Sequence, residues 1–352
     1  MSAGNALTPS FVFDLESRMR VIQAKEYQRL TSDLYYTQFT KELSSTGKRE
    51  RLIWLLETAS IDYVDRLGGT VEFEELVSNT KEIVNKAATA GLKLNRSQLE
   101  DLDGGGIEQA ASWSRQVGAY MAYFPQEKVM EKVRDGTQAA SKSYDGEIFF
   151  SKSHPLNPFD SVVGTYSNLF SGGSGSGAFD KAPIDESVDL EDALSNLNRV
   201  VASIRKIKMP NGKAPRKLRP KGLLVPPDLT ARAQQLTNAK FIAQAAGSGA
   251  GSGDITGVIA NLGLAGAPIV ADELASVFTN GSDTTYYVIA EQLGGDELGA
   301  IVYQNRKPFE VTYNSPMTDA DLARADELQW VVRGRNVVDY GHPYLLFRVE
   351  AS

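Results

Sequence analysis

The chain has no cysteine, which excludes disulfides, thiolate metal sites and a cysteine nucleophile. Histidine is nearly as scarce. His154 and His342 are the only two, and no H-x-x-x-H spacing is available for a metal or a paired general base. Each precedes a proline, a form that suits an extended residue entering a turn. No apolar run approaches the roughly 18 residues of a membrane span. Met1 to Ser10 lacks the basic segment and apolar stretch of a secretory signal, so the expectation is a soluble protein made in a cytoplasm. Positive charge is not in excess either: 37 basic against 44 acidic residues leave a net charge of -7, which argues against a grip on nucleic acid over the whole surface.

What is present is ordinary globular material. Hydrophobic residues are 42% and charged residues 23% of 352, enough for two or three structural units. The organising stretch is Asp101 to Asn157. Ile107, Ala110, Trp113, Val117, Tyr120 and Phe124 recur at intervals of three and four, the spacing of one buried helical stripe on a rod of about 27 Å. Pro125 suits the first turn of a second helix. That helix carries Val129, Met130 and Val133 and stops at Asp135-Gly136. A Tyr144-Asp145-Gly146 turn then leads into a short apolar strand ending at Phe149-Phe150.

Ahead of this stretch, Phe11, Phe13, Leu15, Met19, Ile22, Leu30 and Leu34 mark an arm containing a helix. It is too thinly apolar to stand alone and is expected to lie against something else, such as another copy of the chain. Arg51 to Leu67 reads as an apolar helix closed by Gly68-Gly69. Val71 to Val77 and Ile83 to Lys86 read as the legs of a long β-hairpin with a polar tip at Ser78-Asn79-Thr80, the return leg running on through Leu92-Lys93-Leu94. Such a polar hairpin is marginal alone. It is mobile, held by a neighbouring subunit, or packed on its own domain.

Beyond the organising stretch, Ser171 to Gly177 is linker-like in composition. Asp185, Glu186, Asp189, Glu191 and Asp192 begin a helix that carries Leu190, Leu194, Leu197, Val200, Val201 and Ile204 and finishes with Arg205, Lys206 and Lys208, the favourable order for its dipole. A strand at Gly222 to Val225 and a helix from Pro226-Pro227-Asp228 through Leu236 complete an α/β-like unit. Strands are predicted at Thr285 to Ala290, Ala300 to Gln304 and Phe309 to Tyr313. Leu328 to Arg333, extended by Val337 and Val338, and Tyr344 to Val349 are expected to pair with each other and cover a helix.

No catalytic motif stands up. Gly173, Gly175 and Ala178 fit a loose G-x-G-x-x-A, but no strand precedes them and Asp180 and Pro183 interrupt the helix it needs. Gly212-Lys213 lacks the rest of a phosphate loop, and no cofactor is implied. One charge cluster does stand out. Arg205, Lys206, Lys208, Lys213, Arg216, Lys217, Arg219 and Lys221 occur without an intervening acid. They form either a contact for an acidic partner or polyphosphate, or a solvated loop at a helix C-terminus.

The order of these features resembles the Mu-like phage major head subunit family. The match runs from the glycine-entered helix at Gly104 through Pro125, Asp135-Gly136, Tyr144-Asp145-Gly146, Phe149-Phe150, His154-Pro155 and Gly164 to Asn168-Leu169. It continues more weakly through Leu223 to Pro227, Lys307 to Val311 and Val331 to Arg348. The resemblance implies an α+β fold of the Hong Kong 97 capsid type. Its parts would be an N-terminal arm at 1–47, a peripheral helix at 48–68 and an E-loop hairpin at 69–97. A peripheral domain with its spine helix would occupy 98–189, an axial domain 190–306, and C-terminal strands completing the peripheral domain 307–352.

It further implies a non-enzymatic major capsid protein of a tailed phage or prophage. Such a protein self-assembles as pentamers and hexamers into an icosahedral shell around double-stranded DNA. Scaffold, portal and decoration proteins are the expected partners, with non-specific DNA contact and no membrane, and assembly occurs in the bacterial cytoplasm. The alternatives are an encapsulin-type compartment and a nucleotide-using α/β enzyme. On this reading Glu72, Glu74, Glu75, Asn79, Lys81, Lys86 and Lys93 are the intersubunit E-loop candidates. Ile107, Trp113, Val117, Tyr120 and Phe124 form the spine-helix core, and Lys208, Lys213, Arg216, Lys217, Arg219 and Lys221 a partner-contact loop.

Overall fold

The structure, a computed structural model, describes residues 9–55, 78–95, 105–173, 175, 177–238, 241–242, 253–254, 264, 266–293, 299–314 and 327–351. Two long helices brace one half. Helix α1 spans Pro9–Thr31 and α2 spans Gly105–Asp135. Pro125 does not restart a helix. It sits buried inside α2, where packing on both sides of the break outweighs the roughly 3 kcal/mol that an interior proline costs.

The buried stripe of α2 is also rotated from the predicted one. Ala110, Ser114, Gly118 and Ala122, four residues apart, form the seam against α1, because only small side chains let the two backbones approach. A Cβ at Gly118 would lie 2.7 Å from the carbonyl oxygen of Gln23. Val117 is buried on the edge of this seam, and Trp113 and Phe124 are half-buried beside it. Tyr120, predicted to be core, is 71% exposed; the side chain of Ile107 lies outside the described residues. Nor does the arm's helix wait for another copy, since Val12, Leu15 and Met19 pack with Ala110, Leu328 and Trp330 of the same chain.

Behind the helices lies a four-stranded sheet in the order β1 (Thr40–Ser44), β13 (Ile301–Asn314), β14 (Glu327–Tyr340), β4 (Lys86–Asn95). Here β1 runs parallel to β13 and the other pairs are antiparallel. The two strands expected around Arg306 are one strand with register shifts between Asn305 and Glu310. Pro308 is tolerated because it falls in the register shift between Lys307 and Glu310, after pairing with β1 has ended at Asn305, where no ladder hydrogen bond needs its missing N–H.

Between β1 and β4 the chain leaves as a two-stranded ribbon, β2 (Arg49–Leu55) against β3 (Ser78–Val84). Arg51 to Leu55 is therefore strand where a helix was predicted. A short apolar run such as Leu52-Ile53-Trp54-Leu55 does not fix its own period, and the partner strand decides. Ser78, Asn79 and Thr80, expected at a hairpin tip, pair instead with Leu55, Trp54 and Ile53. The remainder of the predicted helix, and the predicted first hairpin leg with Glu72, Glu74 and Glu75, lie outside the described residues.

The ribbon's root is a polar knot. The Glu50 carboxylate accepts from the N–H groups of Thr46 and Gly47 and from the Ser45 hydroxyl, bonds that hold its carboxyl below the ordinary range, with Gly47 the largest contributor. Asn85 donates to Ser45 Oγ and Gly47 O and accepts from Gln304.

The other half is a five-stranded sheet in the order β11 (Ile269–Val270), β8 (Leu218–Val225), β12 (Tyr286–Gln292), β15 (Leu346–Val349), β7 (Leu169–Phe170). Helix α3 (Leu190–Arg205) packs on it with Ala193, Leu197, Val200, Val201 and Ile204, its N-cap Asp189 accepting from the Asp192 N–H at 2.8 Å. Helix α4 (Thr230–Asn238) lies alongside. The last strand thus joins the α/β unit and does not complete the long sheet. β14 and β15 do not pair, because the chain turns at Gly341, where the Gly341 and His342 N–H groups donate to Ala300 and Gly299. A Cβ at Gly341 would stand 2.2 Å from the Gly299 oxygen.

Two local expectations also change. Phe149-Phe150 is not a strand but follows a single bridge between Lys142 and Ile148, and both rings are buried. The glycine-serine run is not a slack linker. Asp180 accepts from the Gly177 N–H at 2.8 Å, and the Arg199 guanidinium donates to the carbonyls of Gly177, Asp180 and Lys181.

The seam between α1 and α2 is testable. Gly118→Val forces a branched side chain into the Gln23 backbone and should lower stability by about 1–3 kcal/mol. Tyr120→Ala should stay within about 0.5 kcal/mol. Denaturant unfolding of both variants reads the difference.

Candidate assembly surfaces

The ribbon turns few side chains toward its own body. Arg49, Arg51, Ile53, Thr80, Glu82 and Val84 are exposed, and Ile83 is buried. Lys81, expected to meet a neighbouring subunit, is committed within the chain. Its ammonium pairs with Asp339 Oδ1 at 2.9 Å and donates to the Lys142 carbonyl at 2.8 Å. Burial pushes that ammonium below the ordinary lysine range, against the opposing pull of Asp339. Asn79 lies in β3, and Lys86 and Lys93 are exposed on β4, the outer strand of the long sheet.

The basic cluster is a small hairpin. Met209 N–H donates to Ala214 O and Arg216 N–H to Ile207 O, both at 2.8 Å, and Gly212 takes the left-handed conformation at φ 69° that its tip requires. Lys208, Lys213, Lys217, Arg219 and Lys221 are exposed. Arg216 is not part of that surface: it is buried, with its guanidinium 3.8 Å from the centre of the Tyr344 ring, a cation–π contact that takes the charge out of solvent.

Two polar joints, the first buried and the second half-buried, carry no motif and were not predicted as such. In the first, His154 Nε2 donates to the Phe149 carbonyl at 3.1 Å, while His154 Nδ1 is hydrogen-bonded to Asp145 Oδ2 at 2.6 Å with both side chains essentially inaccessible. The Asn168 amide also donates to Phe149 O at 2.7 Å and to Pro343 O at 3.0 Å, and accepts from the Ser151 N–H. His154 stacks on Tyr166. The His-Pro and Tyr-Asp-Gly pairs were the only signal of this joint in the sequence. In the second, Glu273 accepts from the Tyr35 hydroxyl and from Gln126 Nε2, and Arg134 donates to the Glu273 carbonyl. Burial pushes the Tyr35 phenol far up, helped by Glu273. This joint ties α2 to the segment following β11.

None of these groups faces a cleft in the geometry of acid–base or nucleophilic chemistry. Among the described residues, no three His, Asp or Glu side chains converge as a metal site, and no helix is long and apolar enough to cross a membrane. The larger hollows are grooves of about 650 Å³ between α1 and β13 and about 490 Å³ between α2 and β4, with Tyr27, Tyr36, Phe309, Tyr120 and Phe124 among the side chains along them. A braced long sheet, an outlying ribbon and a compact α/β unit make up the described architecture.

Relatives agree. The family described as Mu-like prophage major head subunit gpT matches residues 17–180, and the phage capsid protein family matches residues 126–343. The chain belongs to the phage capsid protein family and is a phage major capsid protein. The fold is that of the procapsid subunit of bacteriophage JBD30, 15% identical over 98% of this chain and 77% of that one, with a TM-score of 0.50. The mature capsid of bacteriophage PhiM1 is similar at 10% identity over 90% and 86% with a TM-score of 0.49. The SrpI encapsulin of Synechococcus elongatus follows at 12% over 90% and 86% with a TM-score of 0.41. No curated protein sequence matches the chain.

The first joint sets a stability test. Asp145→Ala leaves the Nδ1 of a fully buried imidazole without its partner and should cost about 1–3 kcal/mol. Asn168→Ala, which strands buried carbonyls, should cost about 1–3 kcal/mol. Calorimetric or denaturant unfolding measures both.

Proposed function

We propose that the chain forms pentamers and hexamers that close into an icosahedral head around double-stranded DNA, assembled in the host cytoplasm. A separate scaffold, a portal and decoration proteins are its partners. The long sheet with α2 serves as the peripheral domain, the five-stranded unit as the axial domain, and the β2–β3 ribbon as the E-loop that reaches a neighbouring subunit. One observation carries this reading: among the described residues, the ribbon's two strands pair only with each other, Lys81 ties its root to Asp339, and Arg49, Arg51, Ile53, Glu82 and Val84 are exposed, in a chain of the capsid family. A lone two-stranded ribbon is marginal in water; a neighbour's surface supplies what it lacks. Lys86 and Lys93 on β4 and the basic hairpin are further contact surfaces.

Electron microscopy of the purified protein, with and without a scaffold from the same source, should show capsomers or shells. A strictly monomeric species under every condition would count against the proposal. Joining Leu52 to its register partner Lys81 through an Asn-Gly turn removes the outer ribbon while keeping the Lys81–Asp339 pair. The shortened chain should melt within a few degrees of the parent and form no shells.

A further inference from the structure

Helix α3 separates two opposite charge sets. From Ala182 to Asn198 the chain carries Asp185, Glu186, Asp189, Glu191 and Asp192 and no base, and from Arg205 to Lys221 only bases. The helix macrodipole explains charges in the first and last turns, but Glu186, Lys208, Lys213 and Lys217 lie beyond them. The 16 residues of α3 hold the two sets about 24 Å apart. That is about three Debye lengths at physiological salt, so one copy cannot neutralise its own ends. Among the described residues, no ion pair within the chain engages Glu186, Glu191, Lys206, Lys208 or Lys217.

Apolar surface stands beside the basic hairpin. Phe159 is 58% and Val162 91% exposed, on the loop whose Val163 lies against the hairpin tip, 3.0 Å from where a Gly212 Cβ would be. Phosphate would make no use of these side chains; a protein surface would. The complementary charge is present on every copy of the chain.

We infer that the basic hairpin of one copy docks on the acidic start of α3 in the next, with Phe159 and Val162 as the apolar part of the contact. The two patches differ, so the contact is heterologous and passes from copy to copy until a ring closes. The inference rests on the reading of the chain as a capsomer subunit and adds the surface through which α/β units meet.

The test is charge reversal, read as the protein concentration giving half-maximal capsomer formation in sedimentation. Lys206→Glu with Lys208→Glu, and separately Glu186→Lys with Glu191→Lys, should each raise it by about tenfold or more. The four substitutions in one chain, or a one-to-one mixture of the two variants, should return it to within about threefold of the parent. Melting temperatures check folding. If the first pair misfolds, Lys208→Glu with Lys217→Glu replaces it.

Either reversal assembling like the parent overturns the inference, as does failure of both the four-residue swap and the mixture to rescue. A basic-hairpin variant that assembles normally but no longer retains DNA also overturns it, placing the hairpin against nucleic acid. A parent chain that never leaves the monomer refutes the capsomer reading itself, and the inference with it.

Discussion

The side-chain amide of Asn168 is the smallest element on which the architecture depends. It is fully buried and bonds to the backbone at Phe149, Ser151 and Pro343. The chain passes this point twice, once after α2 on its way to β7 and once after β14 on its way to β15. A buried amide must have its partners. Here the partners come from both passes of the chain, so the node ties the segment after α2 to the segment between β14 and β15. Tyr340 stacks on Phe149 beside it, and its hydroxyl donates to the Lys132 carbonyl of α2, carrying the same registration into the helix.

Much of this was legible where the pattern is local. Helix α3 announces itself through apolar spacing, an acidic start and a basic end. The existence of α2 was legible, but its buried face was not. Ranking positions by hydrophobicity favours Tyr120, whereas close backbone approach selects Ser114 and Gly118. The strands expected at Ala300 to Gln304 and Phe309 to Tyr313 are one strand, because a single sequence does not show that a register shift can carry the chain through Pro308.

Long-range pairing was the least legible. Two apolar C-terminal runs invite each other, yet β14 and β15 serve different sheets because Gly341 permits a crossing that a side chain would block. At the surfaces, charge counting exposed the basic cluster but could not know that the Tyr344 ring takes up Arg216, or that Lys81 is held by Asp339. The capsid identity was legible from the order of short motifs along Gly104 to Leu169, which hold the joint between the two halves.

Asn85 alone separates β3 from β4, so the outlying ribbon and the edge of the long sheet are nearly one continuous strand. Beyond that residue β4 pairs with β14 from Asn336 to Glu327, while on the ribbon side Lys81 grips Asp339 near the end of the same strand. A pull on the ribbon therefore does not dissipate in a flexible stem. It is transmitted as tension along β14 to Tyr340 and the crossing at Gly341, so that strain taken up by one half of the subunit is felt by the other.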